Sequence, residues 1–130
     1  MMLVQLHLPY PPSTNRYWRT FRGRPVPSKE ATDFKRIVKD AGRQEDLYNG
    51  LTERELYTGE VELTIRLLPK LTAKGVASKV CMDLDNSIKC LLDALQGIYI
   101  ADDKQVRRIV ADYGEPVKDG GVIVTICKIS

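Results

Sequence analysis

The stretch Met82-Asp83-Leu84-Asp85-Asn86-Ser87-Ile88-Lys89 carries two carboxylates two residues apart, and seventeen and eighteen residues after Asp85 come Asp102 and Asp103. An Asp-x-Asp in an extended lead-in to a helix lets both side chains point the same way. Asp oxygens with no His or Cys among them suit a hard cation, and Mg²⁺ binds through a few carboxylates, keeps waters and takes substrate phosphate. Such a centre hydrolyses phosphodiesters: the ion acidifies a bound water, and a second ion about 4 Å away can hold the leaving oxygen. Lys89 lies one helical turn past Asp85 and Asp93 one turn further, so Lys89 is placed to neutralise charge on the reacting phosphorus. The competing reading is an ordinary i, i+4 ion-pair ladder of Asp85, Lys89 and Asp93 behind an Asp helix cap. An EF-hand alignment fails, because Ile88 stands where Gly is required and Ala94 where the bidentate Glu belongs. A nucleotide-sugar site would need a far larger fold.

A second chemical run is Asn15-Arg16-Tyr17-Trp18-Arg19-Thr20-Phe21-Arg22-Gly23-Arg24, four arginines interleaved with three aromatics. Guanidinium forks bind phosphate, and aromatic faces stack on unpaired bases or wedge into a base step. Nucleic acid is therefore a physical candidate, with Arg16, Arg19, Arg22, Arg24, Lys74 and Lys79 on the backbone. The aromatics can equally be core or dimer-seam anchors with the arginines as rim. Charge placement agrees with a polyanion partner: residues 1–44 hold nine Lys and Arg against three Asp and Glu, and residues 45–130 hold eleven against fourteen, so a net charge of +3 hides a dipole.

These groups need a scaffold, and 130 residues with 43% hydrophobic and 28% charged composition suit one domain, residues 1–130, with a real core. Apolar runs fall short of the ~20 residues of a membrane span. The N-terminus lacks a basic start and a cleavage site, so no secretory signal is expected. Cys81, Cys90 and Cys127, odd in number and without a C-x-x-C pair, fit reduced cytosolic thiols rather than a disulfide or zinc scaffold. Cys90, Cys127 and His7 receive no role.

Alternation over Leu3–Leu8 predicts a strand, and residues 17–20 and 24–26 flank a small arginine-tipped hairpin. Ser28 caps a helix running to about Gly42, with residues 43–58 irregular or a frayed extension. Glu60–Leu68 alternates cleanly as a half-buried strand. Pro69–Lys79 reads as a mobile basic loop. Ile88, Leu91, Leu92 and Leu95 predict a helix over Leu84–Gln96, ended by Gly97. Asp103 returns to that helix only if Ile98-Tyr99-Ile100 folds across it. Gln105–Tyr113 and Gly121–Ile129 are expected as a terminal hairpin. The class is α+β, a mixed sheet backed by two helices in the order β(ββ)αβαββ.

Three blocks in this order, Leu8-Pro9-Tyr10-Pro11-Pro12-Ser13-Thr14-Asn15-Arg16-Tyr17-Trp18-Arg19, then Asp83-Leu84-Asp85-Asn86-Ser87-Ile88-Lys89 with Asp93-Ala94-Leu95 and Gly97, then Asp102-Asp103-Lys104-Gln105-Val106, resemble the RusA-type Holliday junction resolvases of bacteria and their prophages. The resemblance spans nearly the whole chain. It implies a homodimeric, Mg²⁺-dependent endodeoxyribonuclease, with Mn²⁺ as a substitute ion, that nicks four-way junction DNA symmetrically in recombination and repair. No membrane and no organic cofactor are implied, and the setting is the bacterial cytoplasm, host- or prophage-encoded. The family's essential aspartates fall on Asp83, Asp85 and Asp103, its catalytic lysine on Lys89, and Asn86 and Asp102 stand beside them. Asn15 through Arg19, with Arg22, Arg24, Lys74 and Lys79, are the expected DNA contacts. Where relatives often carry an arginine run before the Asp-x-Asp, this chain has Val80-Cys81-Met82. The rival functions are a junction-binding protein with little or no turnover and a nuclease for other branched DNA.

Overall fold

The computed structural model describes residues 2–12, 18–48, 56–78 and 84–129. In chain order the elements are β1 (Met2–Leu8), β2 (Trp18–Phe21), β3 (Arg24–Pro27), α1 (Lys29–Tyr48), β4 (Val61–Leu68), α2 (Leu84–Leu95), a 3-10 turn at Asp103–Gln105, β5 (Val106–Tyr113) and β6 (Gly121–Lys128). Four strands form a mixed sheet in the order β1-β6-β4-β5, and β2 and β3 form a separate two-stranded ribbon. The class is α+β, as the alternation and helix periods imply.

The core sits on one sheet face. Leu63, Ile65 and Leu67 of β4 stand opposite Ile126, Val124 and Val122 of β6, which in turn stand opposite Val4, Leu6 and Leu8 of β1. All nine are buried, as are Ala31, Phe34 and Val38 of α1 and Leu91, Ala94 and Leu95 of α2 that pack with them. The intervening residues, Gln5, Thr125 and Thr64 among them, share the opposite face. Period-two alternation in the strands and three-to-four spacing in the helices make these two faces unavoidable.

The two C-terminal strands do not form the expected hairpin. β6 inserts between β1 and β4, antiparallel to both, while β5 lies parallel to β4 at the sheet edge. Composition explains the exchange. β6 is apolar at most positions and fits a strand with neighbours on both sides. β5 carries Arg107, Arg108 and Asp112 and is exposed along most of its length, which suits an edge. A parallel β4–β5 pair requires a crossover, and α2 is that crossover.

Two further expectations change. The stretch 70–78 is a closed turn rather than a structureless loop: Ser78 N–H donates to Lys70 O at 2.8 Å, Thr72 N–H to Val76 O at 2.8 Å and Leu71 N–H to Val117 O at 2.9 Å. Helix α1 begins where expected, with Ser28 Oγ accepting from Ala31 N–H at 3.1 Å, but continues through Gly42 to Tyr48. Gly42 is therefore not a terminator. A Cβ at that position would overlap the phenol end of buried Tyr99, so glycine gives the ring its seat against the helix.

This reverses the usual sign of a helix substitution. Gly→Ala inside a helix normally gains about 1 kcal/mol, whereas forcing atoms into a packed contact costs about 1–3 kcal/mol. Gly42→Ala is expected to lose about 1–2 kcal/mol in urea unfolding, and a gain would show that Tyr99 does not depend on this seat.

Candidate active site

Helix α2 presents Asp85 in its first turn, where the amide dipoles favour a carboxylate. Its start is pinned by Ser87, fully buried, whose hydroxyl donates to Leu84 O at 2.8 Å. Asp85 and Lys89 are both exposed, Asn86 is half-buried and Asp93 follows two turns after Asp85. No ion pair closes between Asp85 and Lys89, so the ladder reading loses its first rung.

After Leu95 the chain turns sharply. Gly97 N–H donates to Ile100 O at 2.8 Å and Tyr99 N–H to Leu95 O at 3.1 Å. Tyr99 and Ile100 are buried at 1% and 0% exposure, so the apolar run folds back onto the core and the next residues must emerge beside α2. The charge of Asp103 reaches Asp93 on that helix: the Asp93 carboxyl is raised above the usual Asp value, chiefly by partial burial and then by repulsion from Asp103. The Ile98-Tyr99-Ile100 run thus turns back onto the core, and Asp103 stands near enough to Asp93 for its charge to act on that carboxyl.

The acidic turn is held by one side chain. Gln105 Oε1 accepts from Ala101 N–H at 2.8 Å and Asp102 N–H at 2.9 Å, while its Nε2 donates to Tyr57 O at 2.6 Å and Gly59 O at 2.9 Å. Tyr57 N–H in turn donates to Tyr99 O at 2.9 Å. Asp102 caps the 3-10 turn, its Oδ1 accepting from Lys104 N–H at 2.9 Å. That bond, then the contact with the Asp103 side chain, holds the Asp102 carboxyl below its usual range. Asp102 and Asp103 both stand in solvent.

Of the expected DNA contacts, Arg22 and Arg24 flank the tip of the β2–β3 ribbon and are exposed, and Lys74 is exposed at the turn over 70–78. The Arg22 guanidinium lies 5.3 Å from the centroid of the Phe21 ring, itself 51% exposed. Arg22 has φ 52° and Gly23 φ 75°, the paired left-handed conformation that a two-residue hairpin turn needs. Trp18 and Arg19 lie in β2. Asn15, Arg16, Tyr17, Lys79 and Asp83 lie outside the described residues.

Among the described residues no group of three His, Cys, Asp or Glu forms a metal-holding cluster. The donors that are described are oxygen ligands alone, and the repulsion between Asp93 and Asp103 is the kind a bound cation relieves, so they fit a hard divalent ion. Neither Asp93 nor Gln105 was expected from the sequence as a site residue. Asp102 followed three residues later by Gln105 is a capping-box pattern, a local signal for half of the Gln105 role. Nothing local announces Tyr57 and Gly59. Cys90, on the buried face of α2, has its thiol pushed up to about 12 by burial, which makes it an inert core group.

Over residues 9–127 the chain matches the family model described as Endodeoxyribonuclease RusA. No curated protein matches it.

The Gln105 bonds make a graded prediction. Gln105→Ala frees four backbone groups and is expected to cost about 1–3 kcal/mol, with faster hydrogen exchange at Ala101 and Asp102. Gln105→Glu still accepts from those two amides but has nothing to donate to Tyr57 and Gly59. It should keep the amides protected while losing stability, and equal exchange in both variants would remove Gln105 as the holder of the turn.

Proposed function

The chain belongs to the RusA endodeoxyribonuclease family, and from that premise we propose that it cuts four-way DNA junctions in recombination and repair, by paired symmetric nicks from a homodimer, using Asp83, Asp85 and Asp103 with Lys89. The observation that carries this reading is the return of Asp103 to α2, where its charge is felt at Asp93. That nearness supports a centre drawn from residues on both sides of the helix, with Asp93 as the described carboxylate beside Asp103.

Asp83, Asp85 and Asp103 are the residues that would hold Mg²⁺, or Mn²⁺ in its place. The ion, when bound, supplies an acidified water and neutralises phosphate charge. The chain's own groups do the rest. The exposed Lys89 ammonium faces the charge that builds on the scissile phosphate. Asp85 stands in the first turn of the helix, where the backbone amides favour a negative charge. Asp102, its carboxyl lowered by the Lys104 amide, stays ionised and keeps the turn closed beneath Asp103.

Substrate grip comes from the basic ribbon. A left-handed backbone is costly for a residue with a Cβ and is usually left to Gly or Asn. Arginine at position 22, beside an exposed Phe21, is explained by a phosphate contact at the hairpin tip. Arg16, Arg19, Arg24, Lys74 and Lys79 extend that footprint. Among the described residues no helix is long and apolar enough to cross a membrane, and a bacterial cytoplasmic role, host- or prophage-encoded, fits a DNA substrate.

The test is a nicking assay on a synthetic four-way junction with Mg²⁺, run beside flap, fork and duplex, with binding measured in Ca²⁺. Wild type is expected to place paired nicks in the junction. Asp85→Asn should lose about 10²-fold or more in rate, the scale set by removing one charge-handling group, while binding persists. Binding without wild-type cleavage would identify a junction-binding protein instead. Equal cutting of flap or fork would make this a nuclease for other branched DNA.

A further inference from the structure

Strand β5 is bonded to β4 on one side, and among the described residues no strand is paired with its other edge. Edge strands of soluble proteins are normally short, bulged or blocked by lysine or proline. β5 is eight residues long, has its register irregularity at its start around Arg107, and carries charges at Arg107, Arg108 and Asp112. It nonetheless contains no lysine or proline, runs in regular register from Arg108 to Tyr113, and leaves Ile109 and Val110 exposed at 38% and 40%. Its residues alternate between the sheet faces. Arg108, Val110 and Asp112 stand beside Glu62, Thr64 and Arg66 on the face away from the core, while Ile109, Ala111 and Tyr113 continue the buried row of Leu63, Ile65 and Leu67. Gly114 N–H donates to Leu67 O at 2.9 Å. Alternation back along the strand then turns the amides of Asp112, Val110 and Arg108 toward β4, and those of Ile109, Ala111 and Tyr113 toward the open edge.

We propose that this edge is an interface for a second copy of the same chain, the two β5 strands pairing antiparallel about a two-fold axis at Val110 to join the sheets. A two-fold normal to the sheet keeps each side chain on its own face, so the axis must pass through a residue pair and not between residues. Only a few centres lie within the strand. At Ile109 the axis sets Arg108 against the partner's Val110 and Asp112 against the partner's Val106. At Ala111 it sets Asp112 against the partner's Val110.

At Val110 every opposition is favourable: Val110 meets its own copy, Ile109 meets the partner's Ala111, and Arg108 meets the partner's Asp112 twice over. Within the chain Arg108 already reaches Glu62 at 3.7 Å and Arg66 reaches Asp112 at 3.3 Å. The joined edge therefore forms an alternating row from Glu62 through Arg108 to the partner's Asp112 and Arg66. Hydrogen-bond parity agrees, since Ile109 and the partner's Ala111 both turn their amides into the gap. The Val110 pair is then the closely spaced, non-hydrogen-bonded kind, with Cα atoms about 4.5 Å apart.

This surface gives a location to the protomer pairing proposed above, but its test reads assembly alone, so its failure and that of the nuclease reading are distinct. Sedimentation velocity of the whole chain at tens of micromolar is expected to show a dimer. Val110→Cys should form a disulfide-linked dimer under mild oxidation, because about 4.5 Å lies within disulfide reach. Wild type, with only its native cysteines, is the control and should not cross-link. Arg108→Cys alone should stay unlinked, and Arg108→Cys with Asp112→Cys should link.

Val110→Asp places two carboxylates at the axis and should give a folded monomer. Arg108→Asp and Asp112→Arg should each weaken the dimer about tenfold or more through like-charge opposition, and the two together should restore it. A wild-type monomer at these concentrations would overturn the proposal. So would a dimer that survives Val110→Asp and leaves Val110→Cys unlinked, and the cross-linking arm decides the matter even if Val110→Asp fails to fold.

Discussion

The arrangement of this molecule rests on the burial of Tyr99 and Ile100 immediately after α2. A helix ending in solvent can release its chain in any direction. Here two large apolar side chains, both essentially without exposure, have to reach the core within five residues of Leu95, which forces the tight turn at Gly97. The seat for Tyr99 is prepared on α1 by the absence of a side chain at Gly42. Once the turn is made, the chain can only emerge alongside α2, and the carboxylates of Asp102 and Asp103 are delivered next to the helix that bears Asp85 and Asp93. An apolar constraint thus positions an acidic group that by itself would repel its neighbours.

Repulsion is the second half of the argument. The Asp93 carboxyl is raised first by its partial burial and then by the nearby charge of Asp103. Carboxylates held close persist only where the backbone beneath them is independently fixed. Gln105 supplies that fixation with four backbone bonds that link the acidic turn to the Tyr57–Gly59 segment. The turn is therefore solvated at its charged side and fully bonded at its backbone side, which leaves the carboxylates open to a cation and the loop unable to relax away from it.

Much of this was legible in the residues. Alternation identified β1 and β4 with their buried faces, Ser28 announced its helix, and the apolar period of Ile88, Leu91, Leu92 and Leu95 identified α2. The ordering of the last two strands was not legible, because a Gly-Pro and Gly-Gly connection between two apolar strands looks like a hairpin. What distinguishes β5 from β6 is exposure on both faces, a tertiary property. Helix α1 was read to about Gly42 because its apolar period stops at Ala41, leaving residues 43–58 irregular or a frayed extension, and the reason a glycine stands inside the helix lies in Tyr99, fifty-seven positions away. At the site, Asp85, Lys89, Asp102 and Asp103 were visible as types and spacing. The partners of Gln105 were not, since backbone carbonyls of Tyr57 and Gly59 have no sequence signature.

The edge strand and the acidic turn are mechanically one element. Asp103 to Gln105 run straight into Val106 with no intervening loop, and the same Gln105 that holds the turn begins the strand. Among the described residues strand β5 is bonded along one edge only, by β4, and the pairing proposed for its other edge would add a second set of backbone bonds on the segment that leads from the acidic turn. Edge strands fray more readily than central ones, so a partner strand there stiffens the support of Asp103 without touching it. The antiparallel two-fold sends the two β5 strands in opposite directions, and each acidic turn precedes the N-terminal end of its own strand. In the proposed dimer the two centres would lie at opposite ends of the shared edge, facing separate stretches of a polyanion laid across the joined sheets. Symmetric action on two strands would then follow, in that dimer, from the symmetry of one edge, with no contact needed between the centres themselves.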